Sequence, residues 1–217
     1  MILKGLFLFI LMNYNVIRKI FPCHNCNDMS KLKYDSEGLW SITHPDSADV
    51  LSTKIKIFEK TGIKIDSIFD ATAGLGGNTL SFANNFKRVI SCELDPKRFE
   101  ILENNISLYN YKNIKLYNED SINLISKLEE NIDVVFFDPP WGGPTYKYEE
   151  SLEIYLSGMK LEDVCLLISN STKIKLLIFK LPYNYDSTKL ISCCKSLIKT
   201  YNIYNEGNVE YVYILFK

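Results

Sequence analysis

From residue 65 onward, short apolar runs alternate with segments of helical periodicity, and that alternation leaves few folds open. Residues 65–69, 88–92, 114–117, 132–137 and 174–179 read as strands. The run at 132–137 is apolar without a break, as a strand covered on both faces should be. Between these runs lie helix patterns. Asn78 is a candidate N-cap for a helix over 78–83. Asp95-Pro96 opens another, with Phe99, Leu102, Ile106 and Tyr109 at helical spacing. Ile122, Ile125 and Leu128 mark a short third helix, and Leu161, Val164, Cys165 and Ile168 a fourth. Leu190, Ile191, Cys194, Leu197 and Ile198 line one face of a fifth. Residues 201–204 and 209–216 read as strands joined by a turn at Glu206-Gly207-Asn208. The prediction is an α/β fold: a Rossmann-like, doubly wound, mostly parallel seven-stranded sheet ending in an antiparallel hairpin. Such sheets bind ligands at the carboxyl ends of their strands.

The length of 217 residues suits one such domain over 36–217, preceded by an extension over 1–35. Lys and Arg number 25 and Asp and Glu 26, a net charge of −1, which excludes a polybasic duplex binder. An RNA partner would be gripped locally, at a cap or an end. Residues 1–12 are apolar apart from Lys4 and Gly5, too few to span a bilayer, and no small-residue cleavage site follows. They read as a helix packed on the domain or on a partner. The expectation is an intracellular monomer, in nucleus, cytoplasm or the cytoplasm of a virus-infected host, with no membrane attachment. Of six cysteines, Cys92, Cys165 and Cys194 fall on apolar runs or faces and read as reduced core residues. Cys23 and Cys26 form a CxxC without a second ligand pair, so no metal is expected.

Polar residues break the pattern at the strand ends: Asp70, Glu93, Asp120, Asp138 and the Pro182-Tyr183-Asn184 segment. After the first strand comes Asp70-Ala71-Thr72-Ala73-Gly74-Leu75-Gly76-Gly77-Asn78, which lacks a full GxGxxG. A carboxylate at Asp70 would repel a dinucleotide pyrophosphate but attract the ammonium and sulfonium of S-adenosylmethionine. Glu93 is placed to accept the ribose hydroxyls, and Asp120 to reach an adenine amino group.

Asp138-Pro139-Pro140-Trp141 follows the fourth strand. An amine conjugated to a ring is a poor nucleophile, because its lone pair is delocalised. The Asp138 carboxylate and the Pro139 carbonyl can accept both of its N–H groups, orienting it and stabilising the charge that develops on methyl transfer. Prolines stiffen the turn without competing donors, and Trp141 offers a stacking face.

These motifs resemble the trimethylguanosine synthase family of RNA cap guanine-N2 methyltransferases. The likeness rests on the Asp70–Thr79 turn, on Glu93-Leu94-Asp95-Pro96, and on Pro139-Pro140-Trp141-Gly142-Gly143-Pro144 with Tyr146. Glu37-Gly38-Leu39-Trp40-Ser41-Ile42-Thr43 and Leu181-Pro182-Tyr183-Asn184 extend it, so that it covers about residues 34–216. The resemblance implies a class I methyltransferase using S-adenosylmethionine on a 7-methylguanosine-capped RNA. It puts the donor at Asp70, Ala71, Thr72, Gly74, Gly76, Asn78, Thr79, Glu93, Leu94, Asp120, Ser121 and Asp138. It puts catalysis at Asp138, Pro139 and Trp141, and further substrate contacts at Trp40, Pro140, Tyr146 and Asn184. Many members carry serine in place of Asp138 and a cation in place of Tyr183, which leaves Lys147, Lys160 and Lys180 as candidate phosphate contacts. Two other readings compete: an amino methyltransferase acting on adenine N6 or on protein, and a non-catalytic methyltransferase-like subunit.

Overall fold

The computed structural model describes residues 15–171 and 173–217. Its main sheet has seven strands: β1 (Ser67–Asp70), β2 (Arg88–Cys92), β3 (Ile114–Tyr117), β4 (Val134–Phe137), β7 (Leu176–Pro182), β8 (Ile198–Glu206) and β9 (Val209–Phe216). Their order across the sheet is β3-β2-β1-β4-β7-β9-β8. The first five of these run parallel; β9 is antiparallel to β7, and β8 to β9. The doubly wound sheet with a terminal hairpin is the predicted one.

Period-2 alternation sorts the strand residues between two cores. Val135 and Phe137 of β4 join a cluster with α6 (Ser121–Lys127), α7 (Leu161–Ser169) and α8 (Thr188–Cys193). Val134 and Phe136 join the opposite cluster with α3 (Pro45–Ile57) and α4 (Gly77–Asn85). A third cluster packs α5 (Pro96–Ser107) against Ile17, Ile20 and Phe21, of which the first two belong to α1, helical over 15–20. The described part of the N-terminal extension thus shares a core with the domain. The apolar segment 1–12 lies outside the described residues. Among those residues, no helix is long and apolar enough to cross a membrane.

Several local expectations change. Gly76, with φ +98°, caps α4, because Asn78 instead donates its side-chain amide to Thr43. The helix expected through Ile198 stops at Cys193, and Ile198 begins β8. Pro144, expected in irregular chain, opens a 3-10 turn over Pro144–Tyr148. Among the elements not foreseen are α3 and a small hairpin of β5 (Tyr155–Leu156) and β6 (Met159–Lys160).

Two glycines bring the short helix α2 (Gly38–Ser41) against the turn after β1. A Cβ on Gly38 would lie 2.1 Å from Leu75 Cδ1, and one on Gly77 2.7 Å from Ile42 Cγ1 and the Thr43 carbonyl. Only bare backbone permits this approach. It carries Trp40 and Thr43 to the strand ends.

Candidate active site

Strand order reverses between β1 and β4, where a doubly wound sheet opens a crevice at its carboxyl edge. A cavity of about 890 Å³ lies there, walled by the segments after β1, β2, β3 and β4, by α2, and by the β5–β6 hairpin.

The turn after β1 supplies Ala71, Thr72 and Gly74 to the wall. Asp70 is fully buried behind them. Its Oδ2 accepts from Thr79 Oγ1 at 2.6 Å, and Thr79 in turn lies 2.9 Å from Ser91 Oγ. Oδ1 is buried with no hydrogen-bond partner among the described residues. Burial pushes the Asp70 carboxyl up to about 7; the charges of Asp138 and Glu93 add to this, and the Thr79 hydrogen bond opposes it. Asp70 itself is not among the residues that line the cavity.

Glu93 follows β2. Its two carboxylate oxygens accept from the backbone N–H of Gly74 and of Asp95, each at 2.9 Å. This locks the glycine turn to the end of β2 and leaves lone pairs facing the cavity. Burial raises its pKa, and the two backbone donors pull the other way.

After β4, Asp138 donates its backbone N–H to Thr72 Oγ1 (2.7 Å). Its Oδ2 accepts from Lys180 Nζ at 2.6 Å, and the same ammonium donates to Thr43 Oγ1 at 2.9 Å. Both side chains are largely covered, at 10% exposure for Lys180 and 16% for Asp138. Burial raises the Asp138 pKa, with Lys180 opposing. The indole of Trp141 packs edge-on against Tyr146 with centroids 5.1 Å apart, and its buried Nε1 has no partner among the described residues. Lys180 Nζ sits 5.7 Å from the indole centroid.

Thirteen of the anticipated residues line this one cavity: Trp40, Ala71, Thr72, Gly74, Asn78, Glu93, Leu94, Ser121, Asp138, Pro139, Pro140, Trp141 and Tyr146. Asp70, Gly76, Thr79, Asp120 and Asn184 do not. Thr79 positions Asp70. Asp120 caps α6, with Oδ1 accepting from the N–H of Ile122 and of Asn123. Asn184 donates to the carbonyls of Tyr146 (2.8 Å) and Glu149 (2.9 Å), so it braces the Trp141–Tyr146 wall from behind. Of the lysines considered for phosphate, Lys180 is buried on Asp138 and Lys160 pairs with Glu153 at 2.6 Å, while Lys147 lines the cavity. Thr43 and the hairpin residues Tyr155, Leu156 and Ser157 are wall residues that sequence reasoning did not assign to the pocket, and Lys180, expected at a phosphate, instead holds Asp138.

The lining carries five carboxylates (Glu37, Glu93, Asp95, Glu119, Asp138) against three cations, of which Lys180 is held by Asp138 and Arg98 by Glu37 at 2.7 Å. With the orphaned Asp70 oxygen behind it, this wall suits a ligand with positive charge, as S-adenosylmethionine has, and would repel a pyrophosphate.

A family model described as RNA cap guanine-N2 methyltransferase matches residues 65–217. An uncharacterised protein of Acanthamoeba polyphaga mimivirus is 36% identical over 193 residues, covering 80% of this chain and 75% of that protein. The trimethylguanosine synthase of Schizosaccharomyces pombe is 31% identical over 122 residues, covering 51% of this chain and 49% of the synthase, so the match spans about half of that relative. Among solved structures, a Thermus thermophilus 16S rRNA N2-guanine methyltransferase in complex with AdoMet and guanosine superposes with TM-score 0.58 at 12% identity, over 85% of this chain and 44% of that one. A precorrin-6y C5,15-methyltransferase from Geobacter metallireducens gives 0.57 at 14% identity, over 91% and 100%. Identities this low carry the fold alone.

Proposed function

Since the chain belongs to the RNA cap guanine-N2 methyltransferase family, a family of S-adenosylmethionine-dependent enzymes, we propose that it methylates the exocyclic N2 amine of a 7-methylguanosine RNA cap. The observation that carries this reading is the shared cavity. Trp141, inside Pro139-Pro140-Trp141-Gly142-Gly143-Pro144, opens onto the same space as the Gly74–Glu93 wall that suits a cationic donor.

The β1 turn and Glu93 would hold S-adenosylmethionine, which when bound would supply an electrophilic methyl group. The residues then do three things. Asp138 and the Pro139 carbonyl accept the two N–H bonds of the amine, which aims its lone pair and offsets the positive charge that grows on nitrogen. Lys180 already occupies Asp138 Oδ2, so Oδ1 is the oxygen left for the amine. Trp141 stacks on the purine; a 7-methylguanine is cationic, so the indole face attracts it beyond ordinary stacking. Alignment of amine and methyl supplies most of the acceleration.

The test is methyl transfer from labelled S-adenosylmethionine with 7-methylguanosine triphosphate, GTP, ATP and an adenine-rich oligonucleotide offered in parallel. Label is expected on 7-methylguanosine alone, and Trp141→Ala should lose it. Label on the oligonucleotide, or on unmethylated GTP with equal efficiency, would overturn the cap assignment.

A further inference from the structure

A second cluster of reactive side chains lies outside the cavity. Cys165 sits midway along α7, and Cys193 and Cys194 end α8. Their sulfurs all lie within 4.8 Å of one another, with Cys165 Sγ 3.4 Å from Cys194 Sγ. Adjacent residues of a continuing helix project about 100° apart, so vicinal cysteines there do not converge. Here α8 stops: Cys194 leaves the helix at φ −122°, ψ 19°. The break that sequence periodicity did not foresee is what lets two neighbouring thiols meet a third from another helix.

As thiols the three are crowded. Cys165, Cys193 and Cys194 Sγ lie 3.6, 3.2 and 3.2 Å from the Leu190 carbonyl oxygen, and Cys193 also reaches the Glu162 carbonyl at 3.4 Å. The Leu190 oxygen has two lone pairs. Cys165 and Cys194 are buried at 0% and 1% exposure, while Cys193 is only half-buried and gives a route in. None of the three lines the active-site cavity.

We propose that Cys165, Cys193 and Cys194 form a three-thiolate site for one soft, thiophilic cation of the d10 class, such as Cu(I), Zn(II) or Cd(II). An all-sulfur donor set selects this class over hard cations. Metal–sulfur bonds of about 2.3 Å, set trigonally, hold the sulfurs about 4 Å apart, inside the spread already present. As the bonds form, the thiol protons leave to solvent. Bound metal would clamp α7 to α8.

The test uses the full chain, reduced with a phosphine and stripped with a chelator, titrated anaerobically with Cd(II) as the probe. The ultraviolet thiolate-to-cadmium band should rise to an end point of one equivalent, three thiols should lose reactivity, and thermal stability should increase. Cys193→Ser removes a half-buried ligand with little risk to folding. It should weaken Cd(II) binding by more than the roughly 10–100-fold typical of an outer-shell change, and Cys165→Ala should abolish it. A Cys23→Ser/Cys26→Ser variant should titrate like the wild type. The proposal fails if the wild type gives no band. It also fails if the band survives Cys193→Ser undiminished, or disappears in the Cys23/Cys26 variant.

Discussion

Asp70→Asn should stabilise the protein while weakening its hold on the methyl donor, and the gain in stability should grow with pH. In the folded chain burial lifts the Asp70 carboxyl from 3.8 to about 7. The folded state therefore holds the proton more tightly than the unfolded one, and stability falls as pH rises between those two values. A shift of about three units corresponds to about 4 kcal/mol. That penalty is about 2 kcal/mol at pH 5, about 3 at pH 6, and reaches about 4 from pH 7 upward. Asparagine keeps an acceptor for Thr79 but places an amide where Oδ1 has no partner, at a cost of about 1–2 kcal/mol. Net, the variant should match the wild type near pH 5 and exceed it by about 2–3 kcal/mol at pH 8. Urea unfolding across that range measures the difference, and its pH slope is independent of the amide cost. Calorimetric titration with S-adenosylmethionine should show weaker binding, because a negative field has gone. A variant less stable than the wild type at pH 8, or a difference flat in pH, would refute the claim that Asp70 is an ionisable charge held against burial.

Four further changes probe the remaining walls. Trp141→Ala should weaken cap binding by about 1–3 kcal/mol, as expected for a lost stacking face, with S-adenosylmethionine affinity unchanged in calorimetry. Lys180→Met leaves Asp138 covered without its cation, so the Asp138 pKa should climb further. The acid limb of the methyl-transfer rate should then move to higher pH, whereas an unmoved limb would exclude Asp138 from the titration. Asn184→Ala removes two hydrogen bonds to the Tyr146 and Glu149 carbonyls and should raise KM for the cap severalfold with little change in kcat, read by steady-state kinetics. Gly77→Ala drives a methyl to 2.7 Å from the Thr43 carbonyl and should cost about 1–3 kcal/mol in urea unfolding.

The layers of the fold were legible because its central strands, β4 and β7 above all, are buried on both faces, a signal that does not depend on detail. What escaped did so for physical reasons. In α3 the inward stripe is Ala48, Leu51, Ser52 and Ile55; two of its four positions are small or polar, and buried Ser52 is satisfied by Ser81 Oγ at 2.7 Å. The stripe therefore does not stand out from the surrounding polar sequence. Past Cys193 the apolar spacing runs on through a 3-10 turn over Lys195–Leu197 into β8, and periodicity alone cannot see the join. Asp120 reads in sequence like a ligand carboxylate, but an N-cap needs the same residue in the same place.

Lys180 is more instructive: the sequence reading offers it to a phosphate, although a signal for its pairing with Asp138 is present. It is the one charge in the run Leu176–Pro182, a strand buried along its whole length. Lysine is almost never fully buried unless paired, so a lysine inside such a strand asks for an acid at the same height on a neighbour. β4 is that neighbour, in parallel register with Phe137 opposite Phe179. The next position on each strand is Asp138 and Lys180, so the register that builds the sheet also sets the ion pair. An aspartate at this position, with Glu93, Asp95 and Glu119 on the same cavity wall, would crowd negative charge there. Lys180 offsets that charge while leaving Oδ1 open. On this argument the two residues are one unit: Asp138→Ser alone should strand a buried ammonium, and joining it to Lys180→Met should recover stability. Urea unfolding of the two single variants and the double variant measures that coupling, and strict additivity would break the pairing argument.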